Sequence, residues 1–263
     1  MTTRDQLLDP PVSPSASGIH VEVWGSGTPV VLVHGSLATG VSEWGAQRPL
    51  ADAGYSLRVV DRRGYGNSAG AVGEDYLADA VDIAELMGSG AHLVGHSYGG
   101  LVAMLAAARR PEATRSLTLL EPAAAAIADH DESWQQLVAD VRALWSQDLP
   151  DREWVIRFLR AVGSDPDQFP PEMLAEAMPL VQLFRQGRPF FEAALPLAEL
   201  TAGDYPKLVV SGGHHPGFHA MCTDLATRIG AHHAVVEGAG HEIQFTGEPL
   251  NALLLGHWQT VRP

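Results

Sequence analysis

Gly95-His96-Ser97-Tyr98-Gly99-Gly100 stands between a short apolar run, His92 to Val94, and an Ala-rich helical stretch, Leu101 to Arg110. A serine with glycine two positions to either side, on a sharp turn from strand to helix, is the pattern of a nucleophile elbow. The turn thrusts Oγ into a pocket at the N-terminus of the helix, and side chains at 95 and 99 would collide with adjacent backbone. The helix end also favours negative charge developing beside Ser97. A glycine-rich loop with an incidental serine is the alternative, and the strand-turn-helix setting favours the elbow.

Outward from the elbow, strand and helix signals alternate. Short β-branched runs bounded by Gly or Pro occur at Ile19 to Trp24, Pro29 to Val33, Leu57 to Val60, Ser116 to Leu120, Lys207 to Val210 and Ala234 to Val236. Helical stretches lie at Glu74 to Met87, Leu101 to Arg110, Met221 to Ile229 and Pro249 to Trp258. Interleaving of this kind predicts the α/β class, with a mostly parallel twisted sheet covered by helices on both faces.

One interval breaks the rhythm. From Pro122 to Asp204 there are helical patterns, such as Trp134 to Trp145 and Trp154 to Ala161, and no convincing strand. It reads as an inserted cap that Pro and Gly cut into roughly four short helices. The expected organisation is therefore a loose N-terminal arm over 1–18, an α/β core over 19–121 and 205–263, and a helical cap over 122–204.

Two more stretches carry chemistry. Acyl transfer needs two donors aimed at the forming oxyanion, and the elbow supplies one, the backbone N–H of Tyr98. His34-Gly35-Ser36, directly after the run Pro29 to Val33, is placed to supply the other from Ser36, with Leu37 less favoured and His34 structural. A plain turn with a buried histidine is the alternative. Gly238-Ala239-Gly240-His241 follows the last strand signal, where a histidine on a glycine-supported loop can swing toward Ser97 and serve as general base. With 12 histidines in the chain, a lone one is more often structural, and it is position and flanks that single out His241.

Taken in order, His34-Gly35, Asp61-Arg62-Arg63-Gly64-Tyr65-Gly66-Asn67-Ser68, the elbow and Gly-x-Gly-His resemble the α/β-hydrolase family over residues 19 to 260. The resemblance implies a structural turn at Asp61 to Ser68, with Asp61 and Arg63 in supporting hydrogen bonds. It also implies Ser97 as nucleophile, an acyl-enzyme, and no need of a cofactor or metal. Serine at 97 argues against haloalkane dehalogenase and epoxide hydrolase chemistry, both of which use an aspartate there. Many family members carry the triad acid in the loop after the strand that follows the cap. Here Lys207 to Val210 runs into Ser211-Gly212-Gly213-His214-His215-Pro216-Gly217-Phe218-His219, with no carboxylate before Asp224. A minority of relatives place a glutamate at the end of the strand before the cap, and Glu121 holds that place in Leu119-Leu120-Glu121-Pro122. The alternative for Glu121 is a carboxylate tied to cap backbone.

The remaining signals mostly exclude. A formal net charge of -14 would repel phosphate backbones and anionic lipid surfaces, so neither nucleic acid nor membrane is an expected partner. No run of about 18 apolar residues exists, and a single cysteine, Cys222, allows no intrachain disulfide, which fits a reducing cytoplasm. His214, His215 and His219 could suggest zinc, but no Cys or carboxylate lies beside them and adjacent histidines project apart. The cap's Trp134, Leu137, Val141, Trp145, Trp154, Phe158, Phe184, Phe190 and Phe191 should mostly pack cap against core, a few lining a pocket for an apolar, medium-sized small molecule. The leading expectation is an esterase or lactonase. Perhydrolysis of the haloperoxidase-like kind and carbon-carbon bond hydrolysis use the same triad, and a ligand receptor without catalysis is the alternative of another class.

Overall fold

The computed structural model describes residues 18–68 and 70–261; apart from Gly18, the expected N-terminal arm lies outside them. Seven strands form one sheet: β1 (Val21–Trp24), β2 (Thr28–Val33), β3 (Tyr55–Val60), β4 (Ala91–His96), β5 (Thr114–Leu120), β6 (Lys207–Ser211) and β7 (His232–Val235). Their spatial order is β1-β3-β2-β4-β5-β6-β7. β1 pairs antiparallel with β3, and all later pairs are parallel. Each strand run read from the sequence corresponds to one of these.

Side chains alternate across a strand, so each strand feeds two cores. Val31 and Val33 join the larger one with Ile83, Leu101 and Met221, whereas Val30 and Leu32 join the other with Trp44, Leu254 and Trp258. The helices that cover these faces are α1 (Gly40–Trp44), α2 (Tyr76–Leu86), α3 (Ser97–Arg109), α9 (Pro216–Ile229) and α10 (Glu248–Trp258).

Three of the helix starts that differ from the periodicity have a clear local reason. The elbow helix α3 begins at Ser97 itself. Asp75 caps α2 by accepting from the N–H of Leu77 at 3.0 Å, which leaves Glu74 outside the helix. Helix α9 begins five residues before Met221, since Pro216 is suited to a first helical position and the His215 ring accepts from the N–H of Gly217 at 3.1 Å.

Between β5 and β6 the chain is helical, with no strand. It carries α4 (Glu132–Trp145), α5 (Asp151–Ala161), α6 (Pro171–Ala177), α7 (Val181–Arg185) and α8 (Leu197–Ala202). That is one helix more than expected. The extra one, α8, buries Leu200 in the larger core and donates from Thr201 Oγ1 to the carbonyl of Arg228 on α9 at 2.9 Å, so it packs on the sheet layer. Three of the other four, α4, α5 and α7, meet through edge-to-face aromatic contacts among Trp145, Trp154, Phe158 and Phe184. Among the described residues, no helix is long and apolar enough to cross a membrane.

Candidate active site

The elbow has the backbone its sequence demands. Ser97 sits at φ 51°, a left-handed conformation that costs a non-glycine residue of order 1–3 kcal/mol and persists only where its surroundings enforce it. A Cβ at Gly95 would strike the carbonyl oxygen of Gly99, and one at Gly99 the carbonyl oxygens of Val33 and His34. Glu121 and Leu37 are likewise at positive φ, 36° and 68°. Three of the four non-glycine residues in this region of backbone space, among those described, therefore stand at one site.

β4, β5 and the loop after β7 bring Ser97, Glu121 and His241 together. His241 Nδ1 lies 2.8 Å from Glu121 Oε2 and its Nε2 lies 3.1 Å from Ser97 Oγ. A carboxylate can only accept, so Nδ1 carries the proton and Nε2 is left to accept from the serine hydroxyl. Glu121 is fully buried and also accepts from the N–H of Gly212 at 2.7 Å. Burial opposes its ionisation, yet hydrogen bonds and charge from His214 and His241 outweigh that, and its pKa falls to about 2. Asp224 lies on α9, accepting from the N–H of Ala128 at 3.0 Å and pairing with Arg228 at 2.8 Å.

Ser36 and Tyr98, the expected oxyanion donors, line the same cavity as Ser97, Glu121 and His241. Ser36 Oγ donates to both carboxylate oxygens of Glu74 at 2.9 Å. Glu74 in turn accepts from Arg62 Nη2 at 2.6 Å and Tyr65 Oη at 2.5 Å, and all three are buried. His34 is neutral and satisfied: its Nδ1–H donates to the carbonyl of Gly35 at 2.6 Å and its Nε2 accepts from the N–H of Arg62 at 3.0 Å. Burial, reinforced by the Arg62 charge, pushes the His34 pKa well down. Asp61 accepts from the N–H groups of Gly40 and Asn67 at 2.9 and 3.0 Å, and Arg63 pairs with Asp82 at 2.5 Å.

The sequence did not reveal a second buried group. Glu43, on α1, accepts from the N–H of Gly35 with both oxygens at 3.0 Å and lies 3.1 Å from His96 Nδ1. His96 Nε2 donates to the carbonyl of His241 at 3.0 Å. Both His96 nitrogens thus face acceptors. Burial works against the charged ring, Glu43 overcomes it, and the His96 pKa lies above the ordinary imidazole value. The residue before Ser97 thereby tethers the loop that bears His241. Its place beside Ser97 was the available clue, whereas Glu43 lies 53 residues away from its partner.

The cavity holds about 830 Å³. Of the nine hydrophobes between 134 and 191 singled out in the sequence, seven line it, and only Trp145 and Trp154 do not. Six of the nine, Trp134, Leu137, Val141, Trp154, Phe158 and Phe184, also belong to the larger core cluster, and the other three pack against it, so packing and cavity lining coincide. Core residues Phe218 and Phe245 complete the wall. Among the described residues, no group of three or more His, Cys, Asp or Glu is arranged to hold a metal ion. His214 and His215 lie on one loop with ring centroids 6.2 Å apart, and His219 meets His233. Cys222 is buried, and burial raises its pKa well above the usual thiol value.

Residues 28–248 match the model of the alpha/beta hydrolase fold family. The chain belongs to this family. This hydrolase is 30% identical over 213 residues to a pimeloyl-[acyl-carrier protein] methyl ester esterase of Shewanella woodyi, covering 75% of this chain and 79% of that one. It is 36% identical over 153 residues to the protein of the same name from Aeromonas salmonicida, a match that spans 56% of this chain and only 59% of the relative. Among solved structures, a thermophilic esterase from Thermogutta terrifontis superposes with a TM-score of 0.70 at 22% identity, covering 93% of this chain and 94% of that one. That likeness is one of fold.

Proposed function

We propose that the hydrolase cleaves an ester or lactone bond of a neutral, medium-sized apolar molecule through an acyl-enzyme on Ser97. The observation that carries this is the relay from Ser97 Oγ to His241 Nε2 at 3.1 Å and from His241 Nδ1 to Glu121 at 2.8 Å, opening on an aromatic-walled cavity. Ser97 Oγ attacks the carbonyl carbon as its proton passes to His241 Nε2, and Glu121 stabilises the imidazolium. The oxyanion takes hydrogen bonds from the backbone N–H groups of Ser36 and Tyr98. Collapse expels the alcohol, which leaves with the proton from Nε2. Water, deprotonated by the same nitrogen, then attacks the acyl carbon and restores Ser97. The segment 122–204 acts as the cap that shapes the substrate site.

The charge of the cavity supports a neutral substrate. Among the described residues its lining carries four carboxylates, Glu43, Glu121, Glu176 and Glu242, no Lys or Arg, and His96, whose ring Glu43 already faces. A carboxylate tail or phosphate would meet no lysine or arginine there to offset its loss of water.

The test is incubation with a fluorophosphonate and turnover of a panel of esters, lactones and thioesters, with hydrogen peroxide and water compared as acyl acceptors. The proposal expects stoichiometric labelling of Ser97 and turnover of neutral apolar esters or lactones with water as acceptor. No labelling would point to a ligand receptor and overturn it, and turnover confined to hydrogen peroxide or to carbon-carbon substrates would replace it with the corresponding same-triad chemistry.

A further inference from the structure

The loop after β6, where many relatives keep the triad acid, presents an imidazole to Glu121 instead. His214 Nδ1 stands 3.5 Å from Glu121 Oε1, on the side of the carboxylate away from His241. Its Nε2 stands 3.2 Å from the carbonyl oxygen of Val162, the residue that ends cap helix α5. The ring rests against Phe218 at 5.6 Å between centroids, and lies 6.3 Å from that of His241.

Hydrogen-bond chemistry constrains the protonation of this ring. A carbonyl only accepts, so Nε2 must carry a hydrogen, and a neutral ring would then turn the Nδ1 lone pair toward a buried carboxylate. Protonating Nδ1 replaces that repulsion with a charge-assisted contact. The titratable groups around the ring are Glu121 just after β5, Glu242 and His241 from the loop after β7, and His215 from its own loop. The cap faces it with uncharged backbone at Val162 and Gly163. Burial opposes protonation of His214, and Glu121 outweighs burial, which raises its pKa above the ordinary value. Next to His214, Ser164 Oγ donates to Glu242 at 2.9 Å, so the cap segment 162–164 is held by residues adjoining both the acid and the base.

We propose that His214 is a positioning residue which, as an imidazolium, clamps the far oxygen of Glu121 and ties the acid to the cap. It shares the carboxylate's charge with His241. Its positive charge competes with His241 for that carboxylate, so the acidic limb of activity depends on it. This rests on the reading of Glu121 as the triad acid.

The test compares His214→Gln, whose amide can still reach the Val162 carbonyl, with His214→Asn, whose amide replaces Nδ1 toward Glu121 without charge. The readout is kcat/KM against pH on an ester that the wild type turns over. Both variants are expected to move the acidic limb upward by about half a pH unit or more, because a charge close to a buried relay has been removed. His214→Asn should keep more of the plateau kcat than His214→Gln. Long-range 1H–15N spectra of the wild type supply a measurement independent of folding in the variants: His214 is expected to remain doubly protonated at a pH where free histidine is half neutral. An unshifted limb in both variants, or a His214 ring that is neutral at pH 6, overturns the proposal. If Glu121→Gln leaves turnover intact, the reading of the acid fails instead, and the two failures are told apart.

Discussion

Glu121→Gln tests the acid with almost no change of volume. The carboxylate accepts on both sides, from His241 Nδ1–H at 2.8 Å and from Gly212 N–H at 2.7 Å. An amide cannot accept on both. If its oxygen faces His241, its NH2 meets the N–H of Gly212, and two donors oppose each other in a fully buried place. If its NH2 faces His241, the ring must take the tautomer with hydrogen on Nε2, which can no longer accept from Ser97. The first arrangement costs about 1–3 kcal/mol of stability for an unmet buried donor. The second removes the base. In either case the imidazolium that forms in the transition state loses its counterion. By triad logic the loss in kcat is on the order of a thousandfold or more, or about 4 kcal/mol of barrier. The assay is kcat/KM on an ester substrate, with the rate of fluorophosphonate labelling as a substrate-independent check and a thermal melt as control. A variant that melts like the wild type and keeps kcat within tenfold would refute the assignment.

Three further outcomes follow from the geometry. Ser97→Ala should abolish turnover and covalent labelling while moving Tm by less than about 2 °C, since a small pocket-facing hydroxyl is removed; labelling at the wild-type rate would move the nucleophile elsewhere. Asp224→Asn should leave kcat/KM within a few-fold and cost at most about 1 kcal/mol in urea unfolding, because the side chain serves the Ala128 N–H and Arg228 rather than the relay; a large loss of kcat would show a catalytic role. Stability should fall on acidification between pH 6.5 and 4: burial depresses His92 and His257 to about 4, so the unfolded chain takes up their protons first, and the stability present above 6.5 is lost as pH falls through that window. Urea midpoints measured across the window check this, and a flat profile contradicts it.

Particular residues explain what the sequence disclosed. The strands were legible because β-branched runs feed two buried faces at period two, as Val30 to Val33 do. The elbow was legible because Gly95 and Gly99 are places where no side chain fits. Glu121 showed as a charge closing an apolar strand, next to a loop after β6 without a carboxylate. Glu43 and Glu74 were hidden. Each carries its meaning through partners brought together only by the fold, His96 and Gly35 for one, Ser36, Arg62 and Tyr65 for the other. His214 read as a weak metal candidate, since its partner, Glu121, is 93 residues earlier and follows another strand. Helix starts were misjudged where a cap residue or a proline, rather than hydrophobic period, sets the boundary.

The same geometry gives a reason for three buried glutamates in one small site. Ser97, Glu121 and His241 stand just beyond the C-terminal ends of the parallel strands, on segments that share few hydrogen bonds with one another. Each glutamate joins two of them. Glu43 bonds the loop after β2 through Gly35 and the elbow through His96, and His96 passes the tether on to His241. Glu74 bonds Ser36 on the loop after β2 and Arg62 on the loop after β3. Glu121 bonds Gly212 after β6 and His241 after β7. A buried carboxylate is costly unless its oxygens are met, and here every one meets an N–H, O–H or charged ring. Two acceptor oxygens on one short side chain can fix the separation of two loops, which an apolar contact, lacking direction, cannot do. The strained backbone at Ser97 and Glu121 persists because such ties hold it from several sides. Loss of any one of the three should therefore act first on the relative placement of Ser97, His241, Ser36 and Tyr98, and only then on the stability of the fold.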